Sequence, residues 1–291
     1  MQQQRSYQSN EKGSLYLVPT PIGNLEDMTF RAIRILKESD MIAAEDTRQT
    51  KKLLNHFEIS TPIMSHHEHN KESSGAKILS LLQEGKQVAV VSDAGMPTIS
   101  DPGMELVRQV IEHGYPVIPL PGPNAALTAL IASGLSTHPF YFYGFLDRQK
   151  KEKKKQLEEI KKRTETIILY ESPHRLKETL QLILEIMGNR SIVVSRELTK
   201  KFEEFLRGSV EEVLKWIEEN EVKGEFCLII EGCSQEEAEL FQEEGSWWTN
   251  LTVVEHVKAY ENKGLSSKEA IKQVAKDRNL PKRIVYQEYH Q

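Results

Sequence analysis

The sequence predicts an α/β protein made of two sheet domains and a small helical module. Short apolar runs bounded by turn residues alternate with segments whose apolar residues recur at the spacing of an amphipathic helix, and this alternation is typical of α/β folds. The chain has 291 residues, of which 38% are hydrophobic. It is therefore long enough to bury a core in each of two modest domains.

The predicted elements follow one another in a regular order. The apolar runs predict strands at residues 15–18, 41–44, 88–91, 117–120, 140–145, 167–170, 192–194 and 226–230. The helical spacing predicts helices that include residues 30–36, 106–110, 124–133, 176–186 and 210–217.

Turn residues and changes in composition divide the chain. Pro121-Gly122-Pro123 interrupts the alternation of strands and helices, and a glutamate-rich stretch follows residue 233. We predict a disordered leader at residues 1–13, an N-terminal α/β domain at 14–121, a C-terminal α/β domain at 122–233, an acidic linker at 234–246 and a helix-turn-helix-like module at 247–291.

The composition indicates a cytoplasmic protein without disulfides. No apolar stretch approaches the ~20 residues of a membrane-spanning helix, and the first residues lack the apolar segment of a secretory signal. The two cysteines, Cys227 and Cys233, flank a predicted strand and lie too far apart along it for a local bridge. We expect both to be small core residues in a reducing compartment.

The net charge of −5 is unevenly distributed along the chain. Residues 148–163 carry a net charge of +6, residues 203–244 carry −11 and residues 246–291 carry +3. A basic helix is often only a solvated surface, but two basic segments in an acidic chain favour a nucleic-acid partner. Lys153, Lys154 and Lys155 are the candidate nucleic-acid contacts in the first segment.

Unusual residues follow four of the predicted strands. Because the carboxyl ends of parallel strands meet at one edge of a sheet, these segments are expected to converge on a ligand. None of them contains Gly-x-Gly-x-x-Gly or a Walker phosphate loop, so the sequence does not predict a pyrophosphate cradle. The segments are residues 18–25, 44–48, 92–103 and 170–175.

The segment at 92–103 is the strongest candidate for a ligand site. Asp93 follows a buried strand and stands beside Ala94 and Gly95, where the lack of side-chain bulk lets a ligand approach the backbone. A tight turn of ordinary turn residues is the alternative.

Carboxylates in two of the segments are candidate catalytic bases. Glu45 and Asp46 follow the second strand, and Glu171 follows a strand of the second domain. Asp46 is also a good helix N-cap, and Ser172-Pro173 is typical of a helix start. The sequence does not choose among Glu45, Asp46 and Glu171.

Three histidines lie close together at residues 66–69. They lack the helical spacing of His-Glu-x-x-His, so we expect no metal site and assign His67, His69 and Asn70 to substrate contact instead. Arg196 follows another strand and is either a contact for an anionic substrate or part of a salt-bridged surface loop.

Ordered motifs along most of the chain resemble the ribosomal RNA small subunit methyltransferase I family, a branch of the tetrapyrrole methylase superfamily. The motifs are residues 15–25, 44–48, 67–70, 91–103, 121–125, 171–175, 196–200 and 224–226. In the wider superfamily the third loop usually reads Gly-Asp-Pro, whereas here it reads Ser92-Asp93-Ala94-Gly95. The resemblance implies two α/β domains of the tetrapyrrole methylase type with S-adenosylmethionine in the cleft between them. It also implies a homodimer that methylates the ribose 2′-hydroxyl of a cytidine in 16S ribosomal RNA of the small subunit.

The resemblance also implies roles for individual residues. The residues assigned to the cofactor are Pro21, Asp93, Ala94, Gly95, Ile99, Ser100, Pro121, Gly122, Ala125, Tyr170, Glu171, Gly224 and Phe226. Arg48, His174 and Arg175 are available for RNA phosphates, together with the basic and histidine residues named above.

Two alternatives remain at this point. A small-molecule methyltransferase of the tetrapyrrole type would share the fold and cofactor, but it would need neither the basic stretch nor the C-terminal module. A non-enzymatic nucleic-acid-binding protein would explain the module but not the residues at the strand ends. The module itself is expected either to engage RNA or to support a dimer.

Overall fold

The computed structural model describes residues 3–6, 12–246, 248 and 250–290. The chain divides into two compact units, Met1–Gly232 and Cys233–Gln291. Residues 1, 2 and 7–11 of the predicted leader, and Trp247 at the start of the predicted module, lie outside the described residues. Within the leader, the side chain of Gln4 donates a hydrogen bond to the carbonyl of Val117 (2.8 Å) and accepts one from its amide (3.0 Å).

The first half of the larger unit is a five-stranded parallel sheet. Its strands are β1 Ser14–Leu17, β2 Met41–Ala44, β3 Ile63–Ser65, β4 Gln87–Val91 and β5 Val117–Pro119, in the order β3-β2-β4-β1-β5. Its helices are α1 Phe30–Glu38, α2 Thr47–His56, α3 Lys71–Gln83 and α4 Met104–Glu112. Apolar clusters cover both faces, which is why the strands read as continuous apolar runs.

The second half is a mixed five-stranded sheet. Its strands are β6 Phe140–Phe145, β7 Thr166–Glu171, β8 Ser191–Arg196, β9 Glu204–Ser209 and β10 Phe226–Ile230, in the order β6-β7-β10-β8-β9. Its helices are α5 Ala125–Ser133, α6 Lys150–Ile160, α7 Pro173–Met187 and α8 Val210–Glu219. The central strand β10 runs antiparallel to both β7 and β8, so its first residue lies beside their last residues.

The smaller unit is helical. Its helices are α9 Gln235–Ser246, α10 Val253–Asn262, α11 Ser267–Asp277 and α12 Lys282–His290. Both α10 and α11 begin with capping boxes, and α10, α11 and α12 share an apolar core that includes Val257, Ile271 and Val285. The stretch predicted as an acidic linker is therefore helical over 235–246. Ser234 and Glu237 bond each other's backbone amides at its start, which is a capping box that the sequence analysis overlooked.

The α/β architecture with an additional helical module is confirmed. Two strands were not predicted: β3 has only three residues, and β9 is a half-exposed edge strand that pairs with β8. Among the described residues, every helix is too short or too polar to cross a membrane.

Candidate active site

A cavity of about 540 Å³ lies in the larger unit, where segments from both sheets meet. The segments that follow β2 and β4 supply one wall, and the ends of β7 and β8 with the start of β10 supply the other. This is the position at which open α/β sheets bind ligands. The lining residues are Ile22, Glu45, Asp93, Ala94, Gly95, Met96, Ile99, Ser100, Asp101, Asn124, Ala125, Phe145, Tyr170, Glu171, Ser172, Pro173, Ser195, Glu197, Leu198, Lys200, Glu225, Phe226 and Cys227.

Backbone hydrogen bonds fix the loop after β4. The amides and carbonyls of Thr20 and Gly95 bond each other reciprocally at 2.9 and 3.0 Å, and the Thr20 hydroxyl donates to the carbonyl of Ser92. Thr98 and Ser100 have positive φ angles of 73° and 62°, which are uncommon for residues with side chains. The loop is therefore held in one unusual conformation against the loop after β1.

Three carboxylates gather at this loop. The side chain of Asp93 accepts a hydrogen bond from the amide of Asp46 (3.1 Å), which ties the loop after β4 to the end of β2. Burial and the negative charges of Glu45 and Asp93 raise the pKa of Asp101 to about 6. Burial and Asp93 also raise the pKa of Glu45. The cavity therefore carries closely spaced negative charge at Glu45, Asp93 and Asp101.

Asp46 has a different role from its neighbour. Its side chain caps α2 by accepting a hydrogen bond from the amide of Arg48 (2.8 Å), and it pairs with the Arg48 guanidinium at 2.9 Å. These bonds lower the pKa of Asp46 to about 2. An acid this strong is a poor proton acceptor near neutral pH, which disfavours Asp46 as the catalytic base.

Glu171 is buried, with 2% of its surface exposed, and both carboxylate oxygens are occupied. One oxygen accepts from the amide of Ser172 (2.8 Å) and the other from the hydroxyl of Thr179 (2.6 Å). Arg175 lies 3.3 Å from the first oxygen. Glu171 therefore lines the cavity as the anchor of the start of α7, and its occupied oxygens make it a poor acceptor for a substrate proton.

The register of β10 explains why residues distant in sequence share one wall. Phe226 pairs with Glu171 on one side and with Arg196 on the other. Next to it, Lys200 lies 3.0 Å from both Glu197 and Glu225. Lys200 is the one basic side chain among the described residues that line the cavity, and these two carboxylates neutralise it.

Aromatic rings form the apolar part of the cavity. The hydroxyl of Tyr170 accepts a hydrogen bond from the amide of Ala126 (3.1 Å) and so holds the start of α5. The ring of Phe145 packs edge-on against Tyr170 at 5.5 Å. Burial raises the pKa of Tyr170 to about 12, so its hydroxyl stays protonated.

Four residues assigned to the cofactor do not line the cavity: Pro21, Pro121, Gly122 and Gly224. A Cβ on Gly122 would lie 2.6 Å from Pro19 Cβ, and one on Gly224 would lie 2.5 Å from Glu197 Cγ. Both glycines therefore permit close packing behind the wall, and the assignment of these four residues to the cofactor stays a prediction.

Conversely, the sequence analysis missed several residues that line the cavity, above all Asp101, Asn124 and Lys200. A signal for Asp101 was present, because Ser100-Asp101 repeats the Ser92-Asp93 pair within one loop. Asn124 was recognisable as the N-cap of α5, where its side chain accepts from the amide of Leu127 (2.9 Å).

The basic residues proposed for RNA differ in their availability. Lys153 is fully buried, with its Nζ atom 2.9 Å from Glu178 and 3.2 Å from Thr179, so its assignment to RNA was wrong. Lys154 pairs with Glu185 at 2.6 Å, whereas 69% of the Lys155 side chain is exposed. The spacing of Lys153, Leu157 and Ile160 at i, i+4 and i+7 places them on one face of α6, and this signal was overlooked because a lysine is rarely buried.

Arg175 and Arg196 hold backbone segments in place. Arg175 donates to the carbonyls of Leu146 and Asp147 at 2.7 and 2.8 Å, and Arg196 donates to the carbonyl of Lys223 at 2.7 Å. A role for either residue in RNA binding stays a prediction.

The other residues assigned to RNA lie at the surface of the larger unit. Arg48, His69 and His174 are exposed, and His67 is half-buried. Asn70 closes the loop by bonding the amide of His67 (2.8 Å) and the hydroxyl of Ser65 (2.9 Å). Within the described ranges, no group of three His, Cys, Asp or Glu side chains has the arrangement of a metal site.

Comparisons with known proteins identify the fold first. Residues 14–214 match the family model described as Tetrapyrrole (Corrin/Porphyrin) Methylases. Among solved structures, cobalt precorrin-4 methyltransferase has a TM-score of 0.58 at 17% identity, over 75% of this chain and 94% of that one. Uroporphyrin-III C-methyltransferase from Thermus thermophilus has a TM-score of 0.53 at 20% identity, over 80% of this chain and 98% of that one. These two likenesses concern the fold.

Relatives that match nearly the whole chain identify a narrower group within this family. Proteins named Ribosomal RNA small subunit methyltransferase I are 64% identical in Bacillus subtilis (97% of this chain, 95% of that one) and 60% identical in Halalkalibacterium halodurans (100% of both). The relative of the same name in Synechocystis sp. is 47% identical over 94% of this chain and 96% of that one. The chain belongs to the tetrapyrrole methylase family and, within it, to the ribosomal RNA small subunit methyltransferase I group. The prediction of a methyltransferase is confirmed, and neither alternative is favoured.

Proposed function

We propose that the protein transfers a methyl group from S-adenosylmethionine to the ribose 2′-hydroxyl of a cytidine in RNA of the small ribosomal subunit. The names of relatives that are 46–64% identical over nearly the whole chain support the RNA substrate. The negative charge of the cavity supports S-adenosylmethionine as the cofactor. The described lining residues include six carboxylates and one lysine.

The residues present fit this methyl donor. S-adenosylmethionine carries a positive sulfonium and a positive ammonium, which Asp93 and Asp101 complement. Ile99, Phe145 and Phe226 offer apolar surface for its adenine. The volume of about 540 Å³ falls in the range of ligand pockets that enclose a molecule of this size.

Bound in this cavity, the donor would supply an electrophilic methyl group. The protein then has to hold the ribose hydroxyl in line with that group and keep water away. The backbone bonds between Thr20 and Gly95 and the anchored start of α7 make the walls rigid, which serves alignment. The chemistry needs no metal ion.

Glu45 is the best-placed acceptor for the hydroxyl proton. It lines the cavity, and burial and Asp93 raise its pKa, which makes it a stronger base than an exposed glutamate. Of the other two candidates, Asp46 is held as a cap by Arg48, and Glu171 has both oxygens occupied.

Exposed positive charge on α6 supports RNA binding. Lys151 and Lys155 are exposed there, and His174 is exposed at the start of α7. We further propose a homodimer, since Leu127 and Ile131 expose apolar surface on α5, and a cytoplasmic location, where small ribosomal subunits are assembled.

The test of the proposed function uses the full chain, methyl-labelled S-adenosylmethionine and small ribosomal subunits that lack the modification. The RNA is digested to nucleosides, and the labelled nucleoside is identified by chromatography and mass spectrometry. Label on the ribose of cytidine is the expected result. Label on a base, or none on RNA, would contradict the proposal.

Glu45→Gln tests the assignment of the base. We expect kcat to fall at least about tenfold, within the range for a lost general base, while KM for RNA changes little. Asp46→Asn is the matched control, because asparagine also caps helices well and the control removes the neighbouring carboxylate. Equal kcat values for the two variants would remove Glu45 from this role.

A further inference from the structure

A second cavity, of about 240 Å³, lies beside the first, and Asp101 lines both. It is formed by the residue that follows β3 and by the first turns of α3 and α4. Its lining residues are His66, Glu68, Lys71, Glu72, Asp101, Pro102, Gly103, Met104, Glu105, Leu106 and Gln109. Its volume has room for about eight water molecules at liquid density, which suits one nucleobase.

His66 is the unusual residue of this second cavity. Only 4% of its surface is exposed, and its Nδ1 atom lies 2.8 Å from the hydroxyl oxygen of Ser74. Its Nε2 atom is buried and has no hydrogen-bond partner among the residues that the structure describes. A buried polar atom without a partner requires an explanation, because leaving one unpaired costs about 1–3 kcal/mol.

The hydrogen-bond network assigns the proton on His66. The Ser74 hydroxyl donates its hydrogen to the carbonyl of Asn70 (2.8 Å), so its oxygen accepts the bond from His66 Nδ1. Burial and the neighbouring His67 lower the pKa of His66, which keeps the ring neutral near pH 7. With its hydrogen on Nδ1, the ring offers Nε2 as an acceptor.

The charges around His66 exclude an anionic occupant and favour a hydrogen-bond donor. Glu68 and Glu105 lie 2.7 and 3.0 Å from Lys71, which neutralises one negative charge. Glu72 and Asp101 add further carboxyl groups. A phosphate would be repelled here, whereas an amino group would be attracted.

Hydrogen-bond donors are available at the start of α4. Its N-cap is Gly103, which has no side chain to bond the first amides of the helix. Free amides at a helix start attract acceptors such as a carbonyl oxygen. The cavity therefore combines acceptors and donors, as the polar edge of cytosine does.

We propose that this second cavity receives the nucleobase of the target cytidine and that His66 Nε2 accepts a hydrogen bond from its exocyclic amino group. The inference rests on the proposed function, and it adds the means by which cytidine is distinguished from uridine. Uridine presents a carbonyl where cytidine presents the amino group, so two acceptors would face each other. Met104 and Pro102 supply apolar surface for the faces of the ring.

The first test compares two RNA substrates that differ only in cytidine or uridine at the methylated position. We expect the unaltered protein to prefer cytidine by at least about tenfold in kcat/KM, because a site that reads a hydrogen bond rejects the mismatched base. His66→Asn keeps a nitrogen within reach of Ser74 but removes the acceptor at Nε2. The preference should then fall below about threefold, with S-adenosylmethionine affinity unchanged.

The outcomes separate the two levels of the proposal. No transfer to either RNA by the unaltered protein would overturn the proposed function and this inference with it. Transfer to cytidine and uridine with equal efficiency, or an unchanged preference in His66→Asn, would overturn base recognition alone.

A second test does not depend on altering a buried residue. Gln109 and Arg108 are exposed neighbours on α4, and Gln109 lines the cavity whereas Arg108 does not. Gln109→Trp should fill the cavity and lower kcat/KM for the cytidine substrate at least about tenfold, as a lost binding contact does. Arg108→Trp should stay within about twofold, and both should bind S-adenosylmethionine normally. Equal methylation by the two variants would refute the assignment of the cavity.

Discussion

Removal of the Asp93 carboxylate is the most direct perturbation of the larger cavity. The Asp93 side chain lies in the loop after β4, is exposed and lines the cavity. It accepts one hydrogen bond, from the amide of Asp46. Because it contributes little to packing, Asp93→Ala should lower the free energy of unfolding by less than about 1 kcal/mol. The variant should therefore remain folded and report on binding.

The magnitude follows from the charge of the ligand and the position of the carboxylate. A hydrogen bond to a charged group contributes about 1.5–3 kcal/mol. Loss of the Asp93 carboxylate should therefore raise the Kd for S-adenosylmethionine by about 10- to 150-fold. Asp93→Asn keeps an acceptor for the Asp46 amide and removes only the charge, so its Kd should lie between those of Asp93→Ala and the unaltered protein.

Titration calorimetry with S-adenosylmethionine at two salt concentrations measures this difference. The affinity of the unaltered protein should fall as salt rises, and that of Asp93→Asn should fall less, because one charge pair is missing. An unchanged Kd in folded Asp93→Ala would remove the loop from the donor site. Equal salt dependence of the two proteins would show that Asp93 acts through shape and not through charge.

Three further outcomes follow from the charges of the larger unit. The pKa of Asp101, about 6, is above its value of about 3.9 in unfolded chains, so the contribution of Asp101 to stability should fall as pH rises from about 4 to 6. In urea unfolding, Asp101→Asn should therefore gain stability relative to the unaltered protein over that range, by about 1 kcal/mol at pH 8 after discounting for solvent screening; an unchanged difference between pH 4 and pH 8 would refute this. Lys153→Glu should lower the free energy of unfolding by at least about 3 kcal/mol, because it buries an unpaired negative charge. Lys153→Met should change that free energy by no more than about 1 kcal/mol. Equal values for the two variants in urea unfolding would refute the argument from buried charge. Substitution of the exposed Lys151 and Lys155 by Glu should lower RNA affinity without changing S-adenosylmethionine affinity. The slope of the logarithm of the RNA association constant against the logarithm of salt concentration should become shallower by about 2. An unchanged slope would mean that this face of α6 is only solvated.

Six of the eight strands that the sequence predicted lie inside their sheets, and the other two, β5 and β6, lie at sheet edges but consist mainly of apolar residues. Residues such as Ile42, Val88 and Leu228 have no exposed surface, so their segments contain unbroken apolar runs. β9 was not predicted because Glu204, Arg207 and Ser209 interrupt its apolar residues, as a half-exposed edge strand allows. The helix at 235–246 was not predicted, because its glutamates were interpreted as typical of a linker, although glutamate also favours helices.

The candidate site was predicted in part for a similar reason. Residues that directly follow a strand, such as Glu45 and Asp93, were recognisable because a strand end fixes their position at the sheet edge. Side-chain partners were not recognisable: the spacing of Lys153 from Leu157 and Ile160 indicates its face of α6, but not its bonds to Glu178 and Thr179. The distinction between Gly95 on the wall and Gly122 behind it depends on packing against Pro19, which no local pattern encodes.

The position of Asp101 connects the two cavities of the larger unit energetically. Its carboxyl group lines both, and the negative charges of Glu45 and Asp93 help to raise its pKa. A positively charged ligand in the larger cavity would offset those charges and stabilise the ionised form of Asp101. At and below about pH 6, where Asp101 is partly protonated, this would add negative charge to the wall of the smaller cavity and make it a better acceptor for an amino group. Since such coupling is reciprocal, an amino group held in the smaller cavity would stabilise the same ionised form and strengthen binding of the cation. Under the proposed assignments of the two cavities, the methyl donor and the target base would therefore strengthen each other's binding through Asp101 at and below about pH 6.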